Sequence, residues 1–327
     1  DYLERFESRD FRKALIELFE VLDTPNDKRD PYLDDELASF PYVNGGMFAE
    51  KNIEIPKFTD ELRELLLQHA SSGFDWSDIS PTIFGAVFES TLNPETRRSG
   101  GMHYTSIENI HKVIDPLFLN DLKDELNEIR QFKQIKTVEQ RAKQFQSKLA
   151  SLTFFDPACG SGNFLTETYI SLRKLENEAI KLYMGDNIAF DLGQDLVKVK
   201  LNQFYGIEIK DFAVSVAKTA LWIAESQMLE ATKEIVYAEI DFLPLKSYTN
   251  IVEGNALALD WEEVVPKDML KYIIGNPPFV GYTLQTKEQK ISLKSVYVDE
   301  DGKPYKTAGK VDFVAGWYFK ASQLMVD

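Results

Sequence analysis

A glycine turn set between an apolar run and a helical run constrains this chain more than any other feature. Residues 154–165 read Phe154-Phe155-Asp156-Pro157-Ala158-Cys159-Gly160-Ser161-Gly162-Asn163-Phe164-Leu165. The pattern is that of a buried strand, a tight turn and the first turn of a helix. Gly160 and Gly162 permit the turn and let backbone approach a ligand closely. A dinucleotide fingerprint requires a third glycine three places after the second. Leu165 stands there, so a pyrophosphate site is disfavoured. Asp156, just ahead of the glycines, suits an ammonium group better than a phosphate.

The same alternation continues downstream. A helix is expected over 163–181, a strand over 203–207 running into Glu208, and a helix over 210–230. Residues 235–242 and 250–253 read as extended, and 271–275 as a strand. Strands alternating with helices imply a doubly wound, mostly parallel sheet, an α/β fold. The first part of the chain looks mainly helical. Helices are expected over 7–22, over 59–70 capped by Thr59 or Asp60, and over 80–91 capped by Ser80 with Pro81 in its first position. Residues 94–106 read as a linker, and a helix starts at Thr105 or Ser106. Residues 121–150 read as a solvated, charged helix, 283–310 as a mobile lysine-rich loop, and 311–326 as a helix. The division expected is a helical domain over 1–98 and an α/β domain over 99–327.

The chain has 327 residues, 44% of them hydrophobic, enough for a large core. It contains no apolar run long enough to span a bilayer, so no membrane association is expected. No signal peptide is expected either. One cysteine, Cys159, cannot form an internal disulfide, which fits a reducing cytoplasm. The histidines and cysteine show no zinc spacing, and no metal is expected. The net charge of −16 opposes simple phosphate binding. The charge is uneven, however. Residues 1–60 hold 15 acids and 8 bases, whereas 283–310 hold six lysines against four acids.

A second motif carries the chemistry. Asn276-Pro277-Pro278-Phe279 ends the apolar run Tyr272-Ile273-Ile274-Gly275. Two consecutive prolines fix φ and remove two N–H donors, leaving a stiff loop that presents carbonyls. An amide side chain, carbonyls and an aromatic face suit the holding of a planar amino group. The exocyclic nitrogen of a nucleobase is such a group. Between the two motifs, Glu208 at a strand end can accept both hydroxyls of a ribose. Glu208-Ile209-Lys210 also spells the Glu-x-Lys of metal-dependent nucleases. The upstream acid such nucleases need has little room between Asp195 and Glu208, which disfavours that reading.

Taken together these motifs resemble the amino-methyltransferases of DNA. The glycine turn is similar to their motif I, Tyr205-Gly206-Ile207-Glu208-Ile209 to motif II, Ile251-Val252-Glu253-Gly254-Asn255-Ala256-Leu257 to motif III, and Asn276-Pro277-Pro278-Phe279 to motif IV. Gly101-Met102-His103-Tyr104-Thr105-Ser106 resembles motif X. The resemblance implies a Rossmann-like methyltransferase sheet and S-adenosylmethionine as cofactor. It implies cofactor contacts from Tyr104, Thr105, Ser106, Asp156, Pro157, Ala158, Gly160, Ser161, Gly162, Glu208, Ile209, Asn255 and Ala256. Ile209 would pack on the adenine ring, Asn255 would meet its amino edge, and the helix beginning at Thr105 or Ser106 would attract the carboxylate. Asn276, Pro277, Pro278 and Phe279 would hold the target base. His103 and Cys159 read as structural.

The order X-I-II-III-IV, with asparagine opening the last motif, is similar to the class that methylates adenine N6 in double-stranded DNA. N4-cytosine methylation, methylation of a protein glutamine and an inactive cofactor-binding scaffold remain alternatives. Asn44-Gly45-Gly46-Met47-Phe48, the stretch 83–90 and the stretch 98–106 resemble the single-chain type IIG/IIL restriction–modification enzymes and related phage-defence methyltransferases. In those a nuclease precedes a helical connector, and a target-recognition domain follows the catalytic core. On that resemblance the chain is expected to begin within the connector and to lack the recognition domain. No nuclease constellation stands ahead of residue 100.

Overall fold

The computed structural model describes residues 2–43, 48, 54–72, 79–91, 105–184, 196–236, 249–299 and 301–325. The chain divides into two compact units, one within residues 1–79 and one formed by 80–240 and 249–327.

The first unit is helical. Helix α1 (Ser8–Asp23) buries Phe11, Ala14, Leu15, Leu18 and Val21 at helical spacing. It packs with α2 (Asp35–Ala38), whose buried residue is Leu37, and with Tyr2. The Arg29 guanidinium donates to the carbonyls of Val21, Thr24, Ala38 and Phe40, tying the polar loop to both helices. Helix α3 (Asp60–Glu64) is capped by Thr59, which accepts from the Leu62 N–H. It continues as a π turn through Ser72. The segment 44–47, which carries most of the expected Asn-Gly-Gly-Met-Phe turn, lies outside the described residues.

The second unit opens with α4 (Pro81–Thr91), which packs on two later helices of the same unit. Helix α5 (Ile107–Ile114) starts where the sequence places it: Ser106 Oγ accepts from the Asn109 N–H. The stretch 121–150 departs from expectation. It forms α6 (Asn120–Arg130) and α7 (Ile135–Ala150), and neither is a solvated rod. Sparse apolar residues fall on one stripe, so Leu122, Leu126, Ile129, Ala142, Phe145 and Leu149 are buried. A narrow apolar stripe inside a charged sequence is enough to dock a helix.

Strand β1 (Phe154–Asp156) leads through the glycine turn into α8 (Asn163–Met184), and β2 (Phe204–Glu208) into α9 (Asp211–Val236). Strands β3 (Asn250–Glu253) and β4 (Tyr272–Ile273) follow. Helix α9 runs on to Val236, taking up the first residues expected to be extended, while 237–248 lie outside the described residues. Helices α8 and α9 pack on each other and on α4, and α8 also packs on α7.

Among the described residues four strands pair in parallel, in the order β3-β2-β1-β4. The chain builds outward from β1 to β3, then returns to the other side of β1. Strand side chains alternate between faces, and Phe154 and Phe155 show both. Phe154 stacks on Phe204 at 5.4 Å and on Tyr272 at 5.3 Å, a ring row across three strands. Tyr169 of α8 and Phe118 close that face. Phe155 meets Trp261 edge-on at 5.1 Å in the core of the opposite face.

That opposite face is covered by α10 (Lys287–Val296) and α11 (Ala315–Met325). Helix α10 overturns the expectation of a mobile loop over 283–310. Thr286 and Gln289 form a capping box, and Leu293 and Val296 are buried in the core. Lysine content hides this helix from a composition reading. The cap and two anchors decide it. Among the described residues no helix is long and apolar enough to cross a membrane.

Candidate active site

In an open α/β sheet, ligands bind beyond the carboxyl ends of the strands where the strand order reverses. Here that point lies between β1 and β4. A cavity of about 260 Å³ opens there, reached by the loops after β1, β2, β3 and β4. Both principal motifs line it.

The loops interlock through backbone. Cys159 N–H donates to the Ile207 carbonyl at 3.0 Å, and Gly254 N–H to the Glu208 carbonyl at 2.8 Å. Gly160 and Gly162 have φ of 54° and 80°, a region that favours glycine. A Cβ on Gly162 would come within 2.9 Å of the Ala217 Cβ, so the glycine also lets α9 approach. Helix α4 makes a similar approach from the other side. A Cβ on Gly85 would lie 2.8 Å from the Ser161 Oγ.

Two carboxylates face the cavity from strand ends. Asp156 is 2% exposed and accepts from the Ala158 N–H at 3.0 Å. Burial, with the nearby Glu208 charge adding to it, pushes its pKa up to about 7. Glu208 is buried and accepts from Gly160 N–H at 3.0 Å and Lys210 N–H at 3.1 Å. Burial still raises its pKa against those hydrogen bonds. Lys210 also lines the cavity, and its Nζ is buried without a hydrogen-bond partner. Burial likewise pushes the Cys159 thiol up, so it stays protonated beneath the turn, consistent with a structural role.

Gly275 joins the two motifs. Its φ is +147°, and a Cβ there would lie 2.3 Å from the Asp156 Oδ1. The absence of a side chain lets the chain leave β4 directly across the Asp156 carboxylate. Asn276 follows, and its Nδ2 donates to the Thr105 Oγ1 at 3.3 Å. That bond uses the donor end of the amide and leaves Oδ1 as acceptor. Asn276 and Pro278 line the cavity with Thr105. Phe279, next along the loop, is 64% exposed, a large aromatic face in solvent.

Of the residues expected to meet a cofactor, Thr105, Asp156, Pro157, Ala158, Gly160, Ser161, Glu208, Ile209, Asn255 and Ala256 line the cavity. Ser106 caps α5, Gly162 shapes the turn, and Tyr104 lies outside the described residues. The Asn255 carboxamide, expected at a ligand amino edge, is engaged within the chain. Its Oδ1 accepts from the Leu257 N–H, and its Nδ2 donates to Ser292 Oγ of α10.

Sequence reasoning missed the contribution of α10 and α11. Gln289, Ser292, Phe313 and Trp317 line the cavity. Trp317 Nε1 donates to the Pro157 carbonyl at 3.0 Å, holding the glycine turn. Lys320 Nζ donates to the Ala256 and Leu259 carbonyls, holding the loop after β3. Only the helical spacing of Trp317 and Lys320 within 315–325 could have signalled that pair. Within α5, His111 bridges Asp115 at 2.7 Å and Glu167 at 3.1 Å, so the helix that follows Thr105 is pinned to α8.

The architecture defines a doubly wound α/β protein whose cavity sits at the switch point, walled by a glycine turn and a stiff Asn-Pro-Pro-Phe loop. The chain belongs to the family of the MmeI DNA-methyltransferase domain, which residues 132–327 match. Residues 1–48 match the MmeI helicase spacer domain. The chain is 39% identical over 312 residues to DNA methyltransferase A of Bacillus subtilis (strain 168), covering 94% of this chain and 33% of that protein. It is also 39% identical to the type IIL restriction–modification enzyme MmeI, solved in complex with DNA. The TM-score is 0.88, over 99% of this chain and 42% of MmeI. The chain thus spans less than half the length of these relatives.

Proposed function

We propose that this chain transfers a methyl group from S-adenosylmethionine to the exocyclic N6 of an adenine flipped out of double-stranded DNA, within a restriction–modification or phage-defence system. Residues 1–98 serve as the helical connector, with α4 bracing the glycine turn, and 99–327 as the catalytic domain. The observation that carries the reading is the passage of Gly275 across Asp156, which sets the Asn-Pro-Pro-Phe loop beside the glycine turn on one cavity.

The residues present fit the cofactor. Two buried carboxylates share a cavity, and Asp156 has its pKa raised by burial, so a cationic ligand supplies the charge that ionised Asp156 lacks. Asp156 would take the ammonium group, Glu208 the ribose hydroxyls, and Ile209 one face of the adenine. Asn255 and Ala256 lie at its edge, the Asn255 Oδ1 keeping a second lone pair. The amino end of α5, with Tyr104, Thr105 and Ser106, suits the carboxylate. When bound, S-adenosylmethionine supplies an electrophilic methyl group on a sulfonium.

The target base leaves the stack to reach the site. Asn276 Oδ1 and the Pro277 carbonyl accept from the N6 amino group. Two acceptors stabilise the positive charge that develops on nitrogen as its lone pair leaves ring conjugation. Thr105 fixes which end of the Asn276 amide faces the base. Phe279 stacks on the base, worth about 1–3 kcal/mol. The surplus proton departs past these acceptors to solvent, with no strongly basic side chain needed. Positioning carries most of the rate.

Calorimetric titration with S-adenosylmethionine tests the cofactor half. The wild type is expected to bind at micromolar affinity and Asp156→Ala to lose binding. A wild type of full length that takes up no cofactor would contradict the proposal.

A further inference from the structure

The segment 283–310 holds six lysines in a chain of net charge −16. The fold brings this positive island beside the Asn-Pro-Pro-Phe loop. Phe313 N–H donates to the Val280 carbonyl at 2.9 Å, and Tyr282 N–H to Asp312 Oδ1 at 3.1 Å. Gln285 donates to the carbonyls of Val280 and Val311. These bonds cinch the ends of the segment to the loop that ends in exposed Phe279.

Helix α10 then sorts its residues by face. Leu293 and Val296 enter the core, while Gln289 and Ser292 line the cavity. Lys287, Lys290 and Lys294, three and four apart, share another face. The Lys294 side chain lies against Gly309, within 3.1 Å of where a Cβ would stand, beside Lys310. Among the described residues only Lys303 of this set makes an ion pair, an exposed one with Asp301 at 3.8 Å. Helix and turn therefore carry several ammonium groups without an ion pair among the described residues, in a segment whose ends are bonded to the stretch that follows the base-holding loop.

We infer that this basic face binds the phosphates of the DNA strand that flanks the flipped base. The inference rests on the DNA reading above and adds the surface that reading lacks. An acidic protein gains little from long-range attraction to DNA, so local phosphate contacts must register the strand. A rigid helix whose neighbouring faces line the cofactor cavity couples that register to the catalytic loop.

The test is the salt dependence of duplex binding by the full-length protein, read by fluorescence anisotropy with a duplex that carries no chosen site. Each phosphate contact removed lowers the slope of log K against log salt by about 0.9. The triple variant K287Q/K290Q/K294Q is expected to lower the slope by about 2 to 3, and K306Q/K310Q by about 1 to 2. Affinity for S-adenosylmethionine should stay at the wild-type value in both, which also reports folding, and lysine-to-arginine versions should keep the slope. Should the helix variant fail to fold, the turn variant gives the answer alone. Unchanged slopes in a protein that still binds and methylates DNA would overturn this inference and leave the proposed function standing. A wild type that binds cofactor but no duplex would overturn both.

Discussion

Asp156 is the residue whose environment says most about the site. Its carboxyl is held near neutrality by burial, well above an ordinary value near 3.8. Folding therefore favours the protonated form. The stability this lends is full below the ordinary carboxylate range and is lost as pH rises through about 7. Cofactor binding runs the other way, because an ammonium group prefers the carboxylate. Affinity for S-adenosylmethionine should rise with pH up to about 7 and then level, and Asp156→Asn should flatten that part of the profile. Calorimetry across the range checks this; a profile identical in wild type and variant would show that Asp156 does not meet the cation. Gly275 makes a second prediction at this scale. Gly275→Ala places a Cβ against the Asp156 Oδ1 in a backbone region that costs a side chain about 1–3 kcal/mol. The variant should lose cofactor affinity and methyl transfer together, although residue 275 itself contributes no functional group.

Helices α10 and α11 decide how firmly the cavity is walled. Thr286→Ala breaks the capping box and should cost about 0.5–2 kcal/mol, seen as a lowered melting temperature. The loss should fall first on α10 and hence on Ser292, which holds Asn255. Hydrogen exchange in 287–296 should rise before that of β1; uniform change across the molecule would deny α10 this role. Strands β1 to β4, the glycine turn and the Asn-Pro-Pro-Phe loop were legible in the sequence because each depends on local chemistry: a short apolar run, positive φ, fixed φ. Helix α10 was not, because its lysines face solvent and only Leu293 and Val296 mark its core side. The burial of α6 and α7 was missed for the same reason. The Trp317 and Lys320 hydrogen bonds to the loops after β1 and β3 were invisible, since they join residues far apart in the chain.

At the scale of the molecule, one sheet serves both stability and chemistry. The Phe154, Phe204 and Tyr272 row ties three strands on one face, and Phe155 anchors the other. Phe154→Ala should cost about 3–5 kcal/mol in denaturant unfolding, and it should lower activity only through the folded fraction. The loops beyond β1 and β4 are proposed to methylate adenine N6 together. The most direct measurement digests duplex DNA after incubation with the full-length protein and deuterium-labelled S-adenosylmethionine, then identifies the labelled nucleoside by mass spectrometry. The prediction is label on N6-methyladenine, reduced about 10²–10³-fold in Asn276→Ala while that variant still binds cofactor. Label on cytosine, or undiminished label from Asn276→Ala, would contradict it.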